Sequence, residues 1–94
     1  MNAFAVLYLR GPKWDPQRKF HEQDAVERHR DFLQAQHKQG RLIFGGPFID
    51  DTGGLAVYRA ASKGEVEALI LSDETVQNGL LLYEIHPYII AYRA

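Results

Sequence analysis

Apolar and polar positions change rhythm several times along the chain, and each change marks an element. Ala3, Phe4, Ala5, Val6, Leu7, Tyr8 and Leu9 form a continuous apolar and aromatic run that stops at Gly11-Pro12. Such a run predicts a strand over 3–10 with both faces largely covered. Residues 11–20, with Gly11, Pro12, Trp14, Asp15 and Pro16, predict a loop longer than the usual connection of about 4 to 6 residues. From 21 to 39 the rhythm becomes helical. Ala25, Val26, His29, Phe32, Leu33 and Gln36 recur at spacings of three and four, and Gly40 follows as a stop. Arg41 to Phe44 read as a strand running into Gly45-Gly46-Pro47-Phe48. Asp50-Asp51-Thr52-Gly53-Gly54 reads as a turn, and Leu55 to Ala60 as the returning strand of an antiparallel hairpin. Ser62-Lys63-Gly64-Glu65 fits a capping box that opens a second helix, with Val66, Leu69 and Ile70 as its apolar stripe. That helix ends near Ser72-Asp73, and the polar residues 74–79 predict a further turn. Leu80 to Tyr92 is a last strand, apolar on both parities.

The predicted order is strand, helix, strand, strand, helix, strand, an α+β arrangement. Two helices cover one face of a four-stranded antiparallel sheet. The first and last strands are apolar on both faces, so the uncovered face needs a second layer. A chain of 94 residues makes a single domain, 1–94, and has no material for that layer. The pattern therefore predicts a homodimer, sheet against sheet.

Composition narrows the chemistry. Apolar residues make up 46% and charged residues 24%, which suits a folded globular chain. Eleven basic against twelve acidic residues leave a net charge of −1, too little field to gather nucleic acid or an anionic membrane. No cysteine is present, which removes disulfides, thiolate nucleophiles and thiolate metal sites. No apolar run approaches the roughly 20 residues of a membrane span. The first ten residues lack a signal-peptide pattern, so the expected location is the cytoplasm.

His29 carries the most chemistry. It lies on the apolar stripe between Val26 and Leu33, turned toward the sheet. A buried imidazole there is either a hydrogen-bonded core residue or a catalyst. A carboxylate partner would hold one tautomer and leave the second nitrogen free. Asp73, 44 positions on, is the candidate partner, although a cap or turn role explains it as well. Trp14 in the long loop either packs on a core edge or walls a pocket. His21, His29 and His37 are spaced by eight, about 80° apart per step around a helix, and do not share a face. With no HExxH pattern, no metal site is expected. Gly45-Gly46-Pro47 lacks the Lys and Ser/Thr of a phosphate loop. Ser72 beside Asp73 makes no triad.

Several short motifs together resemble the YCII-related (YciI-like) family. They are Glu27-Arg28-His29-Arg30-Asp31-Phe32-Leu33, Gly40-Arg41-Leu42, Gly45-Gly46-Pro47, Ser72-Asp73, Asn78-Gly79-Leu80-Leu81 and His86-Pro87-Tyr88. The resemblance covers nearly the whole chain, Phe4 to Tyr92. It implies a ferredoxin-like βαββαβ fold that dimerises into an α/β barrel, with a His–Asp pair in a cleft. His29 and Asp73 stand at those positions. One departure is Glu74, where the family pattern has proline after the aspartate.

Three functions follow as rivals. In the first, His29 is a general acid/base oriented by Asp73, and Trp14, Gly46, Pro47 and Phe48 wall a small apolar pocket. Its reactions would be isomerisation, elimination or dehalogenation of a small cyclic or aromatic substrate, with no cofactor. In the second, the same cleft binds a small ligand without turning it over. In the third, the pair is a buried polar anchor between helix and sheet.

Overall fold

The computed structural model describes residues 2–94. Strand β1 (Asn2–Arg10) leads through a loop and a 3-10 turn (Phe20–Glu22) to helix α1 (Val26–Lys38). Strands β2 (Leu42–Pro47) and β3 (Gly53–Ala60) form a hairpin. Helix α2 (Lys63–Ile70), a one-turn helix α3 (Glu74–Gln77) and strand β4 (Leu81–Tyr88) complete the order. The strands form one antiparallel sheet in the order β2-β3-β1-β4. This is a four-stranded α+β fold of ferredoxin-like type. No helix among the described residues is long and apolar enough to cross a membrane.

Alternation along β1 separates the two faces. Phe4, Val6 and Tyr8 are buried on the helix side, while Ala3, Ala5, Leu7 and Leu9 are partly covered on the other. Tyr58 and Ala56 of β3 and Leu81 and Ile85 of β4 continue the buried face, and Val66 and Ile70 of α2 close over it. The register carries the opposite face across the sheet as Phe44, Val57, Ala5 and His86 in one row. Leu55, Leu7 and Glu84 follow in the next, and Leu9 stands beside Leu82.

Three elements differ from the expected boundaries. The helix expected from residue 21 begins at Val26. Gln23, inside the expected span, pins the preceding loop instead. Its amide accepts from the Asp15 amide at 2.9 Å and donates to the Asp15 and Arg18 carbonyls at 2.8 Å. Ala25 then takes a left-handed conformation, φ 67°, which no helix interior allows. The stretch 74–79, expected as a turn, contains α3, because Asp73 caps it with a bond from the Thr75 amide at 3.0 Å. The last strand ends at Tyr88 rather than Tyr92: Ala3 opposite Tyr88 is the final pair between β1 and β4. β4 is an edge strand, which is where a strand tolerates Pro87. At α2 the Ser62 hydroxyl accepts from the Glu65 amide at 3.2 Å, so the hydroxyl arm of the expected capping box is formed.

The β2–β3 turn is tight. The Phe48 amide donates to the Gly53 carbonyl at 2.8 Å, and Gly53 takes φ 150°. A Cβ at Gly53 would fall 1.9 Å from the Tyr8 carbonyl oxygen, so only glycine lets β3 approach β1 there. That approach sets the hairpin against the mouth of the site described next.

Candidate functional site

Helix α1 presents Val26, His29 and Leu33 along one side, the stripe expected from their spacing. His29 lies in the first turn, its amide bonded to the Ala25 carbonyl at 3.1 Å. The ring is 5% exposed and stands edge-on to Tyr8, with centroids 5.0 Å apart. Phe20 flanks it at 6.4 Å.

Asp73 arrives from the other side of the helical layer, between α2 and α3, and is 1% exposed. Nδ1–H of His29 donates to Asp73 Oδ2 at 2.5 Å. The second oxygen, Oδ1, accepts from the Thr75 amide at 3.0 Å and the Thr75 hydroxyl at 2.8 Å. The carboxylate is acceptor-only in all three bonds. It is held rigid by its own cap, and it fixes the imidazole in the tautomer protonated at Nδ1. Among the described residues Nε2 has no hydrogen-bond partner. Among the described residues the one buried side-chain polar atom lacking a partner is Trp14 Nε1, so Nε2 keeps contact with open space.

That space is a cavity of about 300 Å³, at the lower end of the roughly 300–1,000 Å³ typical of small-molecule pockets. His29, Gly46, Pro47 and Phe48 all line it, so the structure brings these four sequence candidates together. Asp73 lies behind His29 and does not reach the cavity. Trp14 does not line it either. The indole is 7% exposed and stacks on Phe20, with centroids 5.6 Å apart and planes 11° apart. The Arg10 guanidinium covers the same ring at 5.1 Å. Of the two readings of Trp14, the structure matches packing at a core edge.

Among the lining residues not singled out as site residues from the sequence are Tyr8, Phe20, His21 and Arg30. Phe20 and His21 sit in the 3-10 turn, whose path depends on the Gln23 bonds and carries no periodic signal. Tyr8 is identifiable only as one of the inward positions of β1. Its hydroxyl meets that of Tyr58 at 2.8 Å beneath the helices. Burial pushes both phenols well above the ordinary tyrosine range; for Tyr8, the charge and hydrogen bond of Tyr58 add to the shift, and Asp73 raises both.

Glu74 faces outward. Its carboxylate pairs with Arg28 at 2.7 Å on the exposed side of α1 and makes no bond to the His29–Asp73 pair. No group of three or more His, Asp or Glu side chains among the described residues is placed to hold a metal ion.

A sequence model of the YCII-related domain matches residues 6–89. No curated protein matches the chain. Among solved structures, the chain is similar to 5-chloro-2-hydroxyhydroquinone dehydrochlorinase from Burkholderia phenoliruptrix AC1100, solved in complex with 2,5-dihydroxybenzoquinone. The two share 16% identity over 93% of each chain, with a TM-score of 0.67. At that identity the likeness establishes the fold.

Proposed function

The chain belongs to the YCII-related domain family, and from that premise we propose that it is a small-molecule enzyme in which His29 moves a proton. The observation that carries this is the open Nε2 of an imidazole whose Nδ1 is tied to Asp73 at 2.5 Å. A purely structural histidine would have both nitrogens satisfied. Here one is anchored and the other faces a cavity.

In the neutral ring the Nε2 lone pair takes a proton from an activated C–H or O–H of the substrate. For an isomerisation the same proton returns to another atom of the conjugated system. For an elimination the C–H electron pair forms a double bond while a halide leaves with its own bonding pair. The net loss is then HX, with no oxidant or reductant required. Asp73 orients the imidazole and stabilises the imidazolium that forms, as the acid of a catalytic triad does. General acid/base catalysis contributes roughly 10²- to 10⁴-fold, which suits substrates already activated by conjugation or a leaving group. Pro47, Phe48 and Phe20 supply apolar walls for such a substrate. The dehydrochlorinase is a neighbour whose printed reaction is of this class.

The test uses 5-chloro-2-hydroxyhydroquinone and related hydroxylated rings as probes. His29→Ala and Asp73→Asn should each lower turnover by about 10²-fold or more while the circular dichroism of the fold is kept. Full activity in either variant overturns the reading. Saturable binding of the probes with no turnover by the wild type would favour a ligand-binding module instead.

The same proposal includes a homodimer closed sheet to sheet. Its support is the uncovered face of the sheet, where Phe44 and Leu82 are about half exposed around Ala5, Leu7 and Leu9. The sheets of two such copies would form the interior of an α/β barrel.

A further inference from the structure

The cavity is walled by two distant parts of the chain. Phe20, His29 and Leu33 come from the 3-10 turn and α1, whereas Pro47, Phe48 and Asp51 come from the β2–β3 hairpin. Among the described residues no hydrogen bond or ion pair joins 18–33 directly to 46–55. The gap between these walls decides what fits beside His29, so the contacts that set it matter for the site.

Arg10, the last residue of the central strand β1, reaches both walls. Toward the hairpin, its Nε donates to the Asp51 carbonyl at 2.9 Å. Asp51 is a turn residue at φ 62°, and its carbonyl accepts no backbone bond among the described residues. Toward the helical wall, the guanidinium lies over the Trp14 ring at 5.1 Å. Trp14 stacks on Phe20 at 5.6 Å, and Phe20 stands edge-on to His29 at 6.4 Å. A guanidinium can cover an aromatic ring with its face while an N–H at its edge bonds a carbonyl, a double role that a lysine ammonium does not reproduce.

We propose that Arg10 is a positioning residue: it ties the hairpin to the Trp14–Phe20 stack and so holds the two cavity walls at the spacing that receives a planar ring. Arg10 does not line the cavity and touches no substrate. It acts through Phe20 on one side and through the hairpin turn on the other. Without the tie both walls gain freedom, and a ligand must order them on binding, which lowers its affinity. This also gives Trp14 a part in the site although the indole lies outside the cavity. The inference rests on the proposed function only in taking this cavity as the substrate site.

The test compares wild type with Arg10→Met and Arg10→Lys in the full chain. Arg10 is exposed, so neither variant threatens the fold. Amide hydrogen exchange reads the tie itself. In Arg10→Met the hydrogen-bonded Phe48 and Asp51 amides of the hairpin and the Glu22 and Gln23 amides of the turn should all exchange faster, roughly two- to tenfold, while the amides of β1 keep their protection. Arg10→Lys keeps a cation for the indole and gives up the Nε donor, so it should loosen the hairpin amides more than the turn amides. Benzamide, a neutral planar ring located by the chemical shifts of cavity residues, reads the consequence. Its affinity should fall about fivefold in Arg10→Met and less in Arg10→Lys. Faster exchange on one wall only in Arg10→Met, an equal rise throughout the sheet, an unchanged benzamide affinity, or no benzamide binding to the wild type overturns the proposal. Proton transfer is judged separately, by turnover in His29→Ala, so a weakened benzamide affinity in Arg10→Met with unimpaired turnover in His29→Ala would sink the proposed mechanism alone.

Discussion

Asp73 serves two neighbours with its two oxygens: one holds the His29 ring, and the other caps α3 through Thr75. Beneath them the Tyr8–Tyr58 pair lies in the same low-dielectric layer, and its protons should resist release. Both phenols have raised pKa values in the fold, so they stay neutral where an unfolded tyrosine, with a pKa of about 10, ionises. Below that pH the folded and unfolded chains hold the same phenolic protons, and stability is unaffected. Above it the unfolded chain loses protons that the folded chain keeps, and stability falls as pH rises. Near-ultraviolet titration should show two of the five tyrosines ionising only as the fold is lost. A Tyr8→Phe, Tyr58→Phe double variant should lack that late step. Ionisation of all five before unfolding would contradict the burial argument. Much of this site was legible from residue types. His29 sits on a helical apolar stripe, and Asp73, already a candidate partner from its place after the second helix, is also the acid that the family resemblance implies. The role of Thr75 was not legible, because a single threonine in a polar stretch carries no pattern.

At the scale of elements, the hydrophobic rhythm gave the four strands and two main helices their places, and local hydrogen bonds moved their ends. The clearest case is the start of α1. The helix is expected from residue 21 and the apolar spacing starts at Ala25, yet the Gln23 amide satisfies the loop backbone and Ala25 turns left-handed. Competition of this kind between a side chain and the helix ladder is not visible in periodicity. The departure at Glu74 becomes intelligible at this scale. Glu74 is the first residue of α3, where the amide needs no helical partner and proline is well suited. Asp73 already has φ −78° and ψ 123°, the extended geometry that a following proline requires. The Arg28–Glu74 pair is exposed and worth about 0–1 kcal/mol. Glu74→Pro should therefore shift the urea unfolding free energy by less than about 1 kcal/mol. A loss above roughly 2 kcal/mol would show that Glu74 supports the site after all.

At the scale of the whole molecule, one sheet face is covered by helices and the other is not. If two copies close on that second face, a charge placed at its centre must separate them. Leu7 lies on β1, a central strand, between Leu55 and Glu84 in the register. Light scattering should give a dimer for the wild type and a monomer for Leu7→Lys, with unchanged circular dichroism. A wild-type monomer at micromolar concentration would contradict the paired-sheet arrangement. The sequence pointed to this face through apolar residues on both parities of the outer runs. It overstated β4, because Ile89, Ile90 and Tyr92 continue the apolar pattern beyond Tyr88, the last residue paired with β1.

The stack of Trp14 on Phe20 has a practical corollary. The chain contains a single tryptophan, and the ring it leans against is itself part of the cavity wall. A guest that displaces Phe20, or a quinone that accepts excitation energy across it, alters the glow of that indole. The protein thus contains an optical gauge of its own occupancy, readable without any label.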